Sequence, residues 1–206
     1  MRRRLLPLLV ALAGLAAAAL RWRRNPTACP YSQRWSIDLP RPFLTRARLV
    51  ELLDPQPGER LLELGPGTGY YTLDVAERLG KGRLEVFDLQ QEMLDHVSAK
   101  ARERGVENVV PWQGDARDLL FEADRFDGAF LVTVLGEIPD QDAALRELAR
   151  VVKPGGRVVF GEIALDPHMV TLRSLTERGE RAGLRLDRRV GSPLAYVARF
   201  EVASAG

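Results

Sequence analysis

The run Leu61-Leu62-Glu63-Leu64-Gly65-Pro66-Gly67-Thr68-Gly69-Tyr70 holds the residue types best suited to binding a small ligand. An apolar stretch ends in three alternating glycines, which admit positive φ and let a ligand touch the backbone directly. Glu63 stands two residues before the first of them. A carboxylate there does nothing for a pyrophosphate, but it suits a ligand that carries positive charge. The dinucleotide fingerprint requires G-x-G-x-x-G, and Tyr70 occupies the place of its last glycine. A tight strand-to-helix turn needing glycine for steric reasons alone is the plainer alternative, and it leaves Glu63 without a purpose.

Asp88 closes the next apolar stretch, 19 residues after Gly69. A carboxylate at a strand end can accept hydrogen bonds from both hydroxyls of a ribose; alone, it would more often cap the following helix. Gly114-Asp115-Ala116 follows a third stretch. Asp115 could accept from an adenine amino group while the Ala116 N–H donates to the ring, or Asp115 could simply cap a helix. Two candidates for proton handling lie on later loops. His168, in Asp166-Pro167-His168, could act as a general base, although a lone loop histidine is commonly solvated. Glu137 could orient a substrate or merely start a helix, and Glu162 is a further acid in the same neighbourhood. His96 is expected at the surface of a helix whose Met93, Leu94 and Val97 point inward.

These positions require a particular set of elements. Strands are expected over 60–64, 84–87, 108–112, 126–133 and 158–163, each followed by a helix or helical turn: to about 79, 91–104, near 117–121, 140–152 and 169–182. Two further strand-like runs, 184–190 and 194–202, flank Gly191-Ser192-Pro193. This is an α/β pattern: a mostly parallel, seven-stranded sheet with one antiparallel strand and helices on both faces. Ligands bind such sheets beyond the carboxyl ends of the strands. The ends of the first three strands carry the glycine loop, Asp88 and Asp115. Ahead of the sheet, residues 25–55 read as a linker and covering helix, a lid in which Tyr31 and Trp35 supply aromatic surface. The sheet domain proper is 56–206.

Residues 1–24 differ from the rest. Six of the 30 basic residues of the chain fall there and no acid does, which leaves residues 25–206 with 24 basic against 28 acidic residues. A mildly acidic body excludes the broad basic footprint of a duplex nucleic-acid binder. Residues 5–20 contain no charge or side-chain hydrogen-bonding group and are flanked by arginines. Sixteen residues span roughly 24 Å as a helix, short of a hydrocarbon core of roughly 30 Å. Snorkelling arginines and Trp22 still allow a thin or tilted span, and the segment is read as an uncleaved membrane anchor. A cleaved secretory signal is the main competitor. Cys29 is the only cysteine, so neither an intrachain disulfide nor a cysteine-built metal site is possible, and no metal is expected.

Together, Glu63 with its glycines, Asp88, Gly114-Asp115-Ala116, Phe126-Asp127 and the run 148–157 resemble the class I S-adenosylmethionine-dependent methyltransferases, over about residues 44–206. The resemblance implies a Rossmann-like three-layer sandwich with S-adenosyl-L-methionine as cofactor. It implies that Gly65, Gly67 and Gly69 wrap the methionine portion, Asp88 holds the ribose, Leu89 packs on the adenine, and Asp115 with Ala116 reads its edge. Within the class, the chain is similar to the quinone-biosynthesis and small-molecule or lipid methyltransferases. The expected protein is therefore a methyltransferase acting on a small or amphiphilic acceptor. It would sit at a membrane surface through residues 5–20, with its catalytic domain on the cytoplasmic side of a bacterial inner membrane. A silent cofactor-binding scaffold is the alternative, and a Rossmann dehydrogenase a more distant one. Neither the acceptor nor the oligomeric state is legible.

Overall fold

A computed structural model describes residues 26–36 and 43–204. The expected anchor, residues 1–24, lies outside the described residues. Among those described, no helix is long and apolar enough to cross a membrane.

Seven strands form one sheet: β1 (Arg60–Leu64), β2 (Arg83–Asp88), β3 (Val109–Gln113), β4 (Phe126–Val132), β5 (Val152–Ile163), β6 (Leu184–Ser192) and β7 (Ala195–Val202). Their order is β3-β2-β1-β4-β5-β7-β6. Pairings are parallel from β3 through β5, and β7 runs antiparallel to both its neighbours. The fold class expected from the sequence is the one observed. Five helices accompany the sheet: α1 (Arg46–Leu53), α2 (Thr72–Leu79), α3 (Gln91–Glu103), α4 (Gln141–Val151) and α5 (Leu172–Arg181).

Side-chain alternation along the strands divides the core in two. Leu62 and Leu64 pack with Phe87, Leu145, Leu148 and Leu175 on the α4–α5 face. Leu61 packs with Leu49, Leu53, Val75 and Leu79 on the α1–α2 face. With both faces covered, the central strands are apolar on both sides, the usual state of a parallel sheet. The covering helix α1 begins at Thr45, whose hydroxyl accepts from the Arg48 N–H at 3.3 Å. It is tied to β5 by Arg157, whose guanidinium donates to the Leu53 carbonyl and pairs with Glu59 at 2.5 Å.

Two expectations need correction. The helical turn expected near 117–121 is a single turn earlier, closed by the Asp118 N–H donating to the Asp115 carbonyl at 2.9 Å, and no helix continues through 119–121. Leu119 N–H donates to Glu147 Oε2 at 2.7 Å, and Arg150 donates to the carbonyls of Leu119 and Phe121. Long-range partners on α4 thus take the polar groups a helix would have used. Strand β5 starts at Val152 rather than 158, because Val152 pairs with Phe126 before a register shift lets Lys153–Gly156 loop out. The arginines of 178–189 are a solvated, ion-paired face: Arg178 meets Asp142 at 2.7 Å and Arg188 meets Glu51 at 2.6 Å.

Candidate functional site

In the strand order, β1 lies between β2 and β4, so chain direction across the sheet reverses at β1. A crevice is expected at that switch point, beyond the carboxyl ends of the strands. A cleft of about 380 Å³ lies there, lined by the ends of β1, β2, β3 and β4 and roofed by residues 26–29.

Its floor is the glycine loop. Gly65 has φ 63°, Gly67 55° and Gly69 77°, a conformation that resists side chains. At Gly65 an added Cβ would also lie 2.5 Å from Val134 Cγ2. Lys100 on α3 pins the loop by donating to the Thr68 carbonyl at 2.9 Å. Gly65 and Gly67 line the cleft, whereas Gly69 does not; its missing side chain faces Val97 and Thr72. Glu63 also stands behind the wall. Strand alternation puts it on the face opposite Leu62 and Leu64, fully buried, with no hydrogen-bond partner for Oε2. Burial pushes its carboxyl up to about 8, and the nearby Asp88 adds to the rise.

Asp88, Leu89, Asp115 and Ala116 all line the cleft, as the sequence led us to expect. Burial raises Asp88 to about 6, against which backbone N–H groups of Gln90 and Leu89 stabilise the charged form. Leu89 is 58% exposed, an apolar side chain at the lip. Asp115 is already engaged: Arg117 forks onto both its oxygens at 2.6–3.0 Å and holds its pKa below the usual range. A carboxylate has about four lone-pair sites, so a base edge would share Asp115 with Arg117.

The far wall is Val132, Thr133, Val134, Glu137, Ile138 and Pro139. Thr133 has φ 56°, an outlying conformation for a β-branched residue that is found where function over-determines the backbone. Glu137 faces the cleft and accepts from the Cys29 N–H at 3.2 Å. His168 does not line the cleft. Its N–H donates to Asp166 Oδ1 at 2.8 Å, and its carbonyl packs where a Gly136 Cβ would come within 1.8 Å. Glu162 is buried and accepts from the Val170 N–H at 3.2 Å; burial holds its pKa well above the usual carboxylate range. The sequence missed Phe87, Met93, Gln90 and the β4 end as cleft residues. Only their position just before or after a strand end could have marked them.

These residues fit S-adenosylmethionine. Asp88 offers a desolvated acceptor for ribose hydroxyls, and Leu89, Phe87 and Met93 give the adenine apolar surface. The buried Glu63 carboxyl behind a side-chain-free loop, with Oε2 unsatisfied, would be stabilised in its charged form by a positively charged ligand nearby. Among the described residues, no group of three His, Cys, Asp or Glu is placed to hold a metal.

The fold and this cleft are those of a Rossmann-like α/β sheet with a site suited to S-adenosylmethionine at its switch point. Residues 61–156 match the family described as methyltransferase domain. A demethylmenaquinone methyltransferase of Lactococcus lactis is 37% identical over 117 residues, which are 56% of this chain and 46% of that protein. A 2-phytyl-1,4-naphtoquinone methyltransferase of Synechococcus elongatus is 40% identical over 115 residues, 55% of this chain and 48% of that one. The chain thus spans about half the length of the curated relatives it matches. Among solved structures, an S-adenosylmethionine-dependent methyltransferase from Aquifex aeolicus superposes with TM-score 0.77 at 19% identity, over 85% of this chain and all of that one. The [4+2]-cyclase SpnF superposes with TM-score 0.64 at 26% identity, over 70% of this chain and 57% of that one.

Proposed function

We propose that the protein transfers a methyl group from S-adenosylmethionine to an apolar, quinone-like aromatic acceptor. The observation that carries this reading is the division of the cleft. One side has the glycine loop and Asp88; the other has Val134, Ile138 and Pro139 with a single carboxylate, Glu137. The two relatives above are named for naphthoquinone-type acceptors, which suits an apolar wall.

When bound, the cofactor supplies an electrophilic methyl group. The chain's own work is then to orient and to exclude water. Asp88 would hold the ribose and the backbone at Gly65 and Gly67 the methionine portion, while the apolar wall would hold the acceptor ring on the other side of the cleft. Glu137 holds an acceptor hydroxyl or takes up the proton that an attacking oxygen or carbon must lose.

Residues 1–24 hold the enzyme to a membrane in this reading, with the catalytic domain on the cytoplasmic side. The support is the uncharged run 5–20 with its arginine flanks. Confinement to one surface raises the effective concentration of an amphiphilic acceptor. The test is a panel assay on the full chain in vesicles. Release of S-adenosylhomocysteine should be fastest with a reduced demethylated naphthoquinone and slow with a phospholipid or a soluble catechol. A preference for the soluble catechol would overturn the acceptor class. Recovery of the full chain in the supernatant after vesicle sedimentation would overturn the membrane attachment.

A further inference from the structure

Residues 26–31 cross the cleft as a strap, and both lips hold it through polar side chains. Gln90 follows β2 and Glu137 follows β4, the two strands flanking β1 and its glycine loop. Gln90 Nε2 donates to the Cys29 carbonyl at 2.9 Å, and the Tyr31 N–H donates to Gln90 Oε1 at 3.0 Å. Both ends of one side-chain amide are therefore used on backbone groups two residues apart, as a neighbouring strand would use its own backbone. From the other lip, Glu137 accepts the Cys29 N–H. Beyond the clamp, the Tyr31 ring meets His96 edge-on at 6.1 Å, and the Arg34 guanidinium lies 4.5 Å over the same ring. His96, expected at the surface, is half-buried on the helix against which Tyr31 packs. Gln90 is also fixed from below, because its own N–H donates to Asp88 Oδ1 at 2.8 Å.

We propose that Gln90 is a positioning residue that clamps the strap 26–31 over the glycine loop, sealing the bound cofactor from water and setting the roof against which the acceptor packs. The proposal rests on the reading that S-adenosylmethionine occupies this cleft. Neither a carboxylate nor an aliphatic chain can replace the amide. Glutamate keeps the acceptor for Tyr31 but loses the donor to Cys29, and methionine keeps the length but loses both. The α3 helix begins at Gln91, so a clamped strap also couples the roof to the element that pins the glycine loop through Lys100.

The test compares full-length wild type with Gln90→Met and Gln90→Glu. Without ligand, deuterium exchange at the amides of residues 29 and 31 should rise in Gln90→Met, with an unchanged melting temperature. Loss of two hydrogen bonds should speed S-adenosylhomocysteine dissociation about tenfold or more and raise acceptor KM more than it lowers kcat, with Gln90→Glu intermediate. Wild-type exchange and dissociation rates in Gln90→Met would overturn the clamp, as would a fall in melting temperature that accounts for every loss. A wild type that binds no S-adenosylmethionine would instead overturn the reading of the cleft, and the sealing role with it.

Discussion

The Gln90 N–H donates to Asp88 Oδ1 at 2.8 Å while the Gln90 side chain carries the strap, so the carboxylate proposed for the ribose and the side chain that holds the roof are joined by one hydrogen bond. Loss of either residue is therefore felt at the cofactor, though for different reasons.

Asp88→Ala removes the acceptor for two hydroxyls. Hydrogen bonds to a charged group are worth about 1.5–3 kcal/mol, so cofactor Kd should weaken about 10–150-fold. Calorimetry against the folded variant checks this, and an unchanged affinity would remove Asp88 from the ribose.

The pH dependence has a definite sign. Burial raises Asp88 from 3.8 to about 6 and Glu63 from 4.5 to about 8. The folded protein without ligand therefore holds these protons more tightly than the unfolded chain does. The stability this contributes is present below pH 4 and is lost as pH rises through about 6 and then about 8. Cofactor binding has the opposite trend, since the ionised carboxylate accepts from both ribose hydroxyls and does so more strongly than the protonated acid. Cofactor affinity should fall about tenfold per unit as pH drops below 6. Calorimetric titrations from pH 5 to 8 read the affinity. Melting curves of the ligand-free protein over the same range, corrected against Glu63→Gln, read the stability.

How far the sequence disclosed this site depends on how local each cause was. Strand β1 spans Arg60–Leu64, the range expected from apolar residues running into glycine, because both signals lie within ten residues. The place of Asp88 in the cleft followed from its position at a strand end, and that of Leu89 from the family resemblance. That the turn does not continue through 119–121 did not follow, since Glu147 and Arg150 compete for those backbone groups from about 30 residues away. Nor could alternation in β1 be turned into a statement about Glu63, because which face meets the ligand depends on which helices cover the sheet. Gln90 was illegible for a related reason: its partners, Cys29 and Tyr31, arrive from the other side of the cleft.

Gly67→Val should abolish cofactor binding while circular dichroism still reports the sheet. The residue lines the cleft at φ 55°, and a β-branched side chain both resists that conformation and fills ligand space. Gly65→Ala should fail similarly, since its new methyl would press on Val134. Retained binding in both variants would mean that the ligand does not reach the loop.

Glu137 and His168 separate by position. Glu137→Gln should lower kcat about 100-fold or more if the acceptor proton passes to this carboxylate, and should remove an ionisation from the pH–rate profile. His168→Ala should leave both unchanged, because the side chain is not on the cleft wall. The reverse outcome would move proton transfer to the loop after β5.

The central claim is methyl transfer itself, and following the label tests it most directly. Full-length protein in vesicles is incubated with methyl-labelled S-adenosylmethionine and a reduced demethylated naphthoquinone, with Asp88→Ala alongside as the cofactor-binding control. The account predicts label in the extracted quinone, an equimolar yield of S-adenosylhomocysteine, and strongly reduced transfer by the variant at the same cofactor concentration. Tight binding of S-adenosylmethionine by the wild type with no S-adenosylhomocysteine formed from any acceptor would contradict it.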